Sequence, residues 1–221
     1  MYPLTVSEAI LLVRKNYDEI ASDDSDMTDI IDDKDSNEFE DVLAKTLPEA
    51  INAVHALADV TTLDGEVLPE DATVSFEGDC LKIEIPGSFL RMVAFKEKNS
   101  LLTICDTVDE YSAEGRMQLN PYTRGTADHP RMVLMQTKKD DKTVLKYYSV
   151  ERKETSPASN IERLEYIKRY KHGSTSYNVA DDHVTTVIDH LTGMMCSIYG
   201  DVNKAQYFFQ KAGTAVQQPA Q

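Results

Sequence analysis

The feature that most constrains this chain is a change of hydrophobic period. At both ends apolar residues recur at helical spacing, and between about residues 72 and 150 they alternate in twos. A chain of this kind cannot be all-helical or all-β. It must build helices from its two ends and a sheet from its middle, and neither helical end alone carries enough apolar surface to close a core.

The N-terminal helix is signalled by Thr5 and Glu8, a T-x-x-E capping box, followed by Val6, Ile10, Val13, Tyr17 and Ile20, with Ala9 and Leu12 widening the stripe. This predicts a helix from Val6 to about Ala21. Ser36 is a candidate N-cap with Phe39, Val42 and Leu43 on one face. Thr46 then restarts the pattern: Pro48 falls in a first turn and Glu49 three residues after the cap, predicting a further helix over 47–60. The Leu63-Asp64-Gly65-Glu66 stretch reads as a turn and Pro69 as a break.

Strands are expected at ATVSFEG and CLKIEI, joined through Gly78-Asp79, then at FLRMVAF (89–95) paired with LLTICDTV (101–108), and at RMVLMQT paired with TVLKYYSV. Residues 111–131, with Gly115, Pro121, Gly125 and Pro130, read as a long loop. The segment IERLEYIKRYKHG fits helix or strand and leans to helix at its start. After it, Asn178 is expected to cap a helix striped by Val184, Val187, Ile188, Leu191, Met194, Met195 and Ile198. Gly200 ends that helix, and Asp201 caps a last one running to Gly213.

The expected class is therefore α+β: a helical bundle formed by the N- and C-terminal segments with an inserted antiparallel β unit. Its parts are 1–66 (N-terminal helices with an acidic tract), 67–155 (the β insertion), 156–213 (C-terminal helices completing the bundle) and 214–221 (a polar tail).

Charge enters because it is so unevenly placed. The formal charge of the 221-residue chain is −15. Residues 18–41 hold twelve acids and one base, so −11 of the total lies in that tract and −4 in the rest. Such a chain does not coat phosphate, since nucleic-acid binders gain affinity from Lys and Arg. The tract (Asp23, Asp24, Asp26, Asp29, Asp32, Asp33) does not fit a calcium loop. Counted from Asp33, the sixth place is Glu38 and the twelfth Ala44. Counted from Asp24, they are Asp29 and Asp35. It reads as a solvated loop or a surface facing a partner.

The only basic, aromatic-rich stretch is 163–172. Arg163, Lys168, Arg169 and Lys171 there form a candidate docking patch: a charged solvent face, a site for an acidic partner such as the tract of a neighbouring copy, or a nucleic-acid contact. His183 and His190, seven apart, share a helix face and are expected to point to solvent or a partner rather than to a metal.

No catalytic, cofactor-binding or metal-binding residue is expected. There is no G-x-S-x-G, no Walker loop and no G-x-G-x-x-G, and no carboxylate–lysine set of the nuclease kind falls on adjacent strands. Cys80, Cys105 and Cys196 are scattered without a C-x-x-C, so neither disulfides nor a zinc site is expected. No signal peptide and no run of about 18 apolar residues is read in the chain, so a cytoplasmic site of synthesis and no membrane partner are expected.

The two ends taken together carry a resemblance. An amphipathic helix, an acidic turn, a second helix, a β insertion and the helix 179–199 followed by GDVNKAQYFFQKA resemble the adaptor or connector ring proteins of tailed bacteriophages. The pattern of Lys204, Ala205, Tyr207, Phe208 and Ala212 matches the last helices of that family. The style is similar to virion ring proteins of crAss-like phages, although the β unit departs from the smallest members.

The resemblance implies a structural protein of the virion neck. It would form a dodecameric head–tail connector ring under the portal, bound to copies of itself, to the portal protein and to other ring or tail proteins. DNA would pass through on ejection without specific binding. Val184, Val187, Leu191, Phe208 and Phe209 would form the ring-packing helix face. The alternatives are an acidic DNA mimic of the anti-restriction kind and a small enzyme.

Overall fold

In the computed structural model, which describes residues 1–21, 36–87, 89–126, 129–137, 142–150 and 153–217, the change of period becomes a division into two units. The chain runs β1 (Tyr2–Thr5), α1 (Val6–Ala21), α2 (Ser36–Leu57), β2 (Glu66–Val67), β3 (Thr73–Glu77), β4 (Cys80–Pro86), β5 (Phe89–Glu97), β6 (Val108–Asp109), α3 (Ala113–Gln118), β7 (Met132–Thr137), β8 (Lys142–Tyr147), β9 (Ile161–Lys168), β10 (Ser176–Val179), α4 (Val184–Ile198) and α5 (Val202–Gln217). Unit 1 takes Met1–Leu63 together with Tyr170–Gln221, and unit 2 takes Asp64–Arg169. The class is mixed α and β, with helices and mainly antiparallel sheets.

Unit 1 is closed by a strand pair absent from the sequence expectation. β1 lies antiparallel to β10, with Leu4 opposite Tyr177, and Val6 N–H continues the ladder to Thr175 O. Thr5 caps α1 as its pattern predicts: its Oγ1 accepts from Glu8 N at 3.2 Å. The Glu8 carboxylate, however, accepts from the Tyr2 hydroxyl. Ala9 and Val13 of α1 are fully buried with Leu43, Leu47, Ala50 and Ile51 of α2 and Val187, Leu191 and Met195 of α4. Each large side chain so buried contributes about 1.5–3 kcal/mol.

Three expectations need correction here. The break at Thr46 does not occur: α2 is one helix through Pro48. Thr46 Oγ1 donates to Val42 O at 2.8 Å instead of capping a new helix. The stripe Leu43, Leu47, Ala50, Ile51, Val54 runs without interruption across the proline, so packing outweighs the lost backbone bond. Asn178 does not cap a helix, because it lies in β10 opposite Pro3, and α4 starts after a 3-10 turn at Asp181–His183. Finally, α5 continues past Gly213 to Gln217. The α4–α5 junction is as expected: Gly200 has φ +87° and Asp201 Oδ1 accepts from Lys204 N at 3.1 Å.

Unit 2 holds a five-stranded sheet ordered β3-β4-β8-β7-β6 and a three-stranded sheet ordered β2-β9-β5. All pairs are antiparallel except β6 with β7. The two-residue turn Gly78-Asp79 joins β3 to β4, with Gly78 at φ +61° as a tight hairpin requires. Leu81, Ile83 and Ile85 alternate onto one face of β4. They enter a core with Met132, Leu145 and Tyr147 from the same sheet and Phe89, Met92, Phe95, Leu164 and Tyr166 from the other. Phe95 and Tyr147 meet across the two sheets with ring centroids 5.0 Å apart.

The expected partner of β5 is corrected. Only one bridge, Phe95 to Ile104, joins it to the 101–108 segment, and its true neighbour is β9. The 161–168 segment is thus strand, not helix, and belongs with unit 2. Leu164 and Tyr166, two apart, are both buried on β9, the period of a strand. The expected 111–131 loop contains α3, capped by Ser112, whose Oγ accepts from Gly115 N at 3.0 Å.

Gly115 is required by close approach. A Cβ there would lie 2.1 Å from the Asp109 carbonyl oxygen, so backbone must move to admit any side chain. Gly115→Ala is expected to cost unit 2 about 2 kcal/mol. Urea unfolding followed by tyrosine fluorescence would read this as a lowered midpoint.

Candidate functional site

The acidic tract expected to face a channel or partner, Asp23, Asp24, Asp26, Asp29, Asp32 and Asp33, lies outside the described residues. The residues of the basic patch are divided between the two units. Arg163 and Lys168 lie on β9 and Arg169 follows it, all in unit 2, whereas Lys171 belongs to unit 1. Arg163 is also committed to a neighbour. Its Nε and Nη2 donate to the two carboxylate oxygens of Glu165 at 2.8 and 2.7 Å. This fork holds the Glu165 carboxyl below its usual range and Arg163 above its own.

The helix face assigned to ring packing turns inward. Val187 and Leu191 are fully buried and Phe208 nearly so, and Val184 packs against the same core. Of the five, Phe209 alone is 36% exposed. The apolar residues that do reach the surface of this helix pair are Ile198, Tyr199, Val202, Tyr207 and Phe209, around the α4–α5 turn and along α5.

What the sequence does not single out is a set of buried polar centres. In unit 1, Asp189 of α4 is 3% exposed and ties three helices together. Lys211 Nζ of α5 donates to its Oδ1 at 2.9 Å, and Asn16 Nδ2 of α1 reaches the same oxygen at 3.4 Å and Thr192 Oγ1 at 3.1 Å. Thr192 Oγ1 in turn donates to Ile188 O at 2.7 Å. Removing the lysine leaves a buried carboxylate with one long contact. Because Lys211 is itself half-exposed, Lys211→Met is expected to cost about 1–2 kcal/mol, below the range for fully buried pairs. A lowered thermal midpoint of the helical circular dichroism would show it.

Also in unit 1, Asn52 of α2 clamps the Tyr170 backbone in both directions, each bond 2.9 Å long. Of the histidines expected to face solvent or a partner, His183 is instead buried, with Nε2 2.7 Å from Thr62 Oγ1, and His190 is half-buried, 5.1 Å from the Phe209 ring. Burial lowers the pKa of both.

In unit 2, Glu97 at the end of β5 is 1% exposed and Asn160 fully buried. The carboxylate accepts three N–H groups: Asn99 N at 3.0 Å, Asn99 Nδ2 at 3.1 Å and Asn160 Nδ2 at 3.1 Å. Asn160 in turn accepts from Glu154 N at 2.9 Å through its side chain and from Lys98 N at 2.8 Å through its carbonyl. These bonds fix the entry into β9, and they satisfy a buried charge without a cation.

Among the described residues no group of three or more His, Cys, Asp or Glu is placed to hold a metal ion. Burial pushes the Cys80 thiol up to about 11 and the Cys196 thiol upward, away from the thiolate form. An open cleft in unit 2 is lined by Glu114, Thr123, Arg124, Thr126, His129 and Arg131 with neighbours. No helix among the described residues is long and apolar enough to cross a membrane.

Neither the Glu97–Asn160 nor the Asp189–Lys211 centre has a sequence motif, because each joins residues far apart in the chain. The one available signal is a lone acid beside an apolar stripe, as at Asp189 between Ile188 and Leu191. Comparison with models of known protein families and with curated proteins finds no match for this chain.

Proposed function

We propose that the protein is a structural component of a tailed-phage virion. It forms a dodecameric ring in the neck that joins the portal to the tail and lets DNA pass. The observation that supports this reading best is the make-up of unit 1, a helical unit built from both ends of the chain, with the β unit inserted between them in sequence. The helices of unit 1 form the bundle that packs side by side around the ring. Its contact with the next copy is the exposed apolar set Ile198, Tyr199, Val202, Tyr207 and Phe209.

The acidic tract supports the same reading electrostatically. Twelve acids within residues 18–41 repel phosphate, so a channel lined by them passes DNA without holding it. The protein acts through surfaces, without a cofactor, and its partners are its own copies, the portal and adjoining ring or tail proteins. Electron cryomicroscopy of the ring assembled on its portal tests this. The tract is expected at the lumen, and Asp23 to Asp33 on the outer rim would overturn the channel reading.

A further inference from the structure

His55, in the last turn of α2, is 1% exposed, and neither ring nitrogen has a hydrogen-bond partner. Its ring lies 6.5 Å from that of Tyr170, and a charge on His183 opposes its protonation. His183 is itself buried and sits against Thr62 Oγ1. A neutral imidazole at this place leaves one donor and one acceptor unmet. An imidazolium would leave two donors and a full charge unmet beside a second histidine.

Among the described residues no carboxylate on the neighbouring elements is hydrogen-bonded to His55, although Asp182 acts on His183. Asp59 accepts from Thr61 N and Oγ1, Asp181 pairs with the Met1 ammonium at 3.4 Å, and Asp182 is exposed and acts on His183. On the loop from Tyr170, the Tyr170 hydroxyl donates to Asn178 O, and exposed His172 faces Glu49 of α2 at 3.9 Å. None of them is bonded to His55.

We propose that His55 and His183 form an acid-sensitive latch: protonation drives apart the last turn of α2, the Val60–Thr62 turn and the start of α4, opening one end of unit 1 while unit 2 stays folded. The direction of titration agrees. Desolvation, with His183 adding to it, lowers the His55 pKa from 6.5 to about 4, and burial lowers that of His183. The folded form therefore binds fewer protons than the opened one. Its stability is complete above pH 6.5 and falls as the pH drops from 6.5 towards 4. Between neutral pH and pH 4 His55 alone raises the opening constant by about 100-fold.

Hydrogen exchange on the whole protein, corrected for intrinsic rates and compared at neutral and mildly acid pH, tests the latch. Protection is expected to fall in residues 50–62 and 183–187 but to hold in β5 and β9. His55→Leu, which leaves His183 as the one titrating member of the latch, is expected to lose much less protection at acid pH than the parent. Equal protection of the parent at both pH values would overturn the proposal, as would an acid response in His55→Leu as large as the parent's. If that variant does not fold, the ring resonances of His55 in the unaltered protein decide. Titration near 6.5 in a still-protected unit 1 overturns the latch, and no titration before protection is lost supports it.

Discussion

Leu191→Ala is expected to destabilise unit 1 by about 2–5 kcal/mol. Leu191 is fully buried at the centre of α4, in one cluster with residues of α1 and α2. Truncation removes its transfer free energy and leaves a cavity that interlocked helices fill only in part. Urea unfolding followed by helical circular dichroism measures the loss. The variant also separates two roles for this face. A core position lowers the stability of any species in solution, whereas a ring-packing position lowers assembly alone. Phe209→Ala, at a position 36% exposed whose ring also rests on α4, is expected to cost less stability than Leu191→Ala and to weaken association between copies.

In unit 2 the largest side-chain effect is expected at Asn160. Asn160→Leu keeps the volume but withdraws one donor from the buried Glu97 carboxylate and the acceptor from Glu154 N–H. Unmet groups at a buried charge cost about 1–3 kcal/mol each, so a loss of about 3 kcal/mol is expected. Glu97→Leu strands Asn160 Nδ2 and both Asn99 donors instead. A double-mutant cycle on the two positions should show coupling of at least about 1 kcal/mol, because each single change strands the other residue's partner. Additive losses would mean that the two side chains act independently.

The parts of the fold that were legible in the sequence are those that local chemistry decides. Thr5 before Val6, Gly200 followed by Asp201, and Gly78-Asp79 between alternating runs each place an element end by bonds within a few residues. The illegible parts depend on partners distant in sequence. β1 is a strand only because β10 lies beside it, and β9 reads as either period until β5 is its neighbour. Thr46 and Asn178 carry cap chemistry, but a continuous buried stripe and a strand pairing, respectively, override it. The same limit governs the buried centres. Glu97 meets Asn160 and Asp189 meets Lys211 by tertiary folding alone, whereas the candidate residues on the C-terminal helices were found because an apolar stripe is periodic. Periodicity marks a buried face without naming what buries it, which is why Val187 and Leu191 pack inside their own unit.

The most direct test of the proposed function is the mass of the protein in solution, by light scattering on the eluting peak, alone and with its portal. Twelve chains of 24.8 kDa give a particle of about 300 kDa, expected either alone or added to the portal, and expected to shrink with Phe209→Ala. A monomer or dimer under both conditions, with no association with the portal, would contradict the ring.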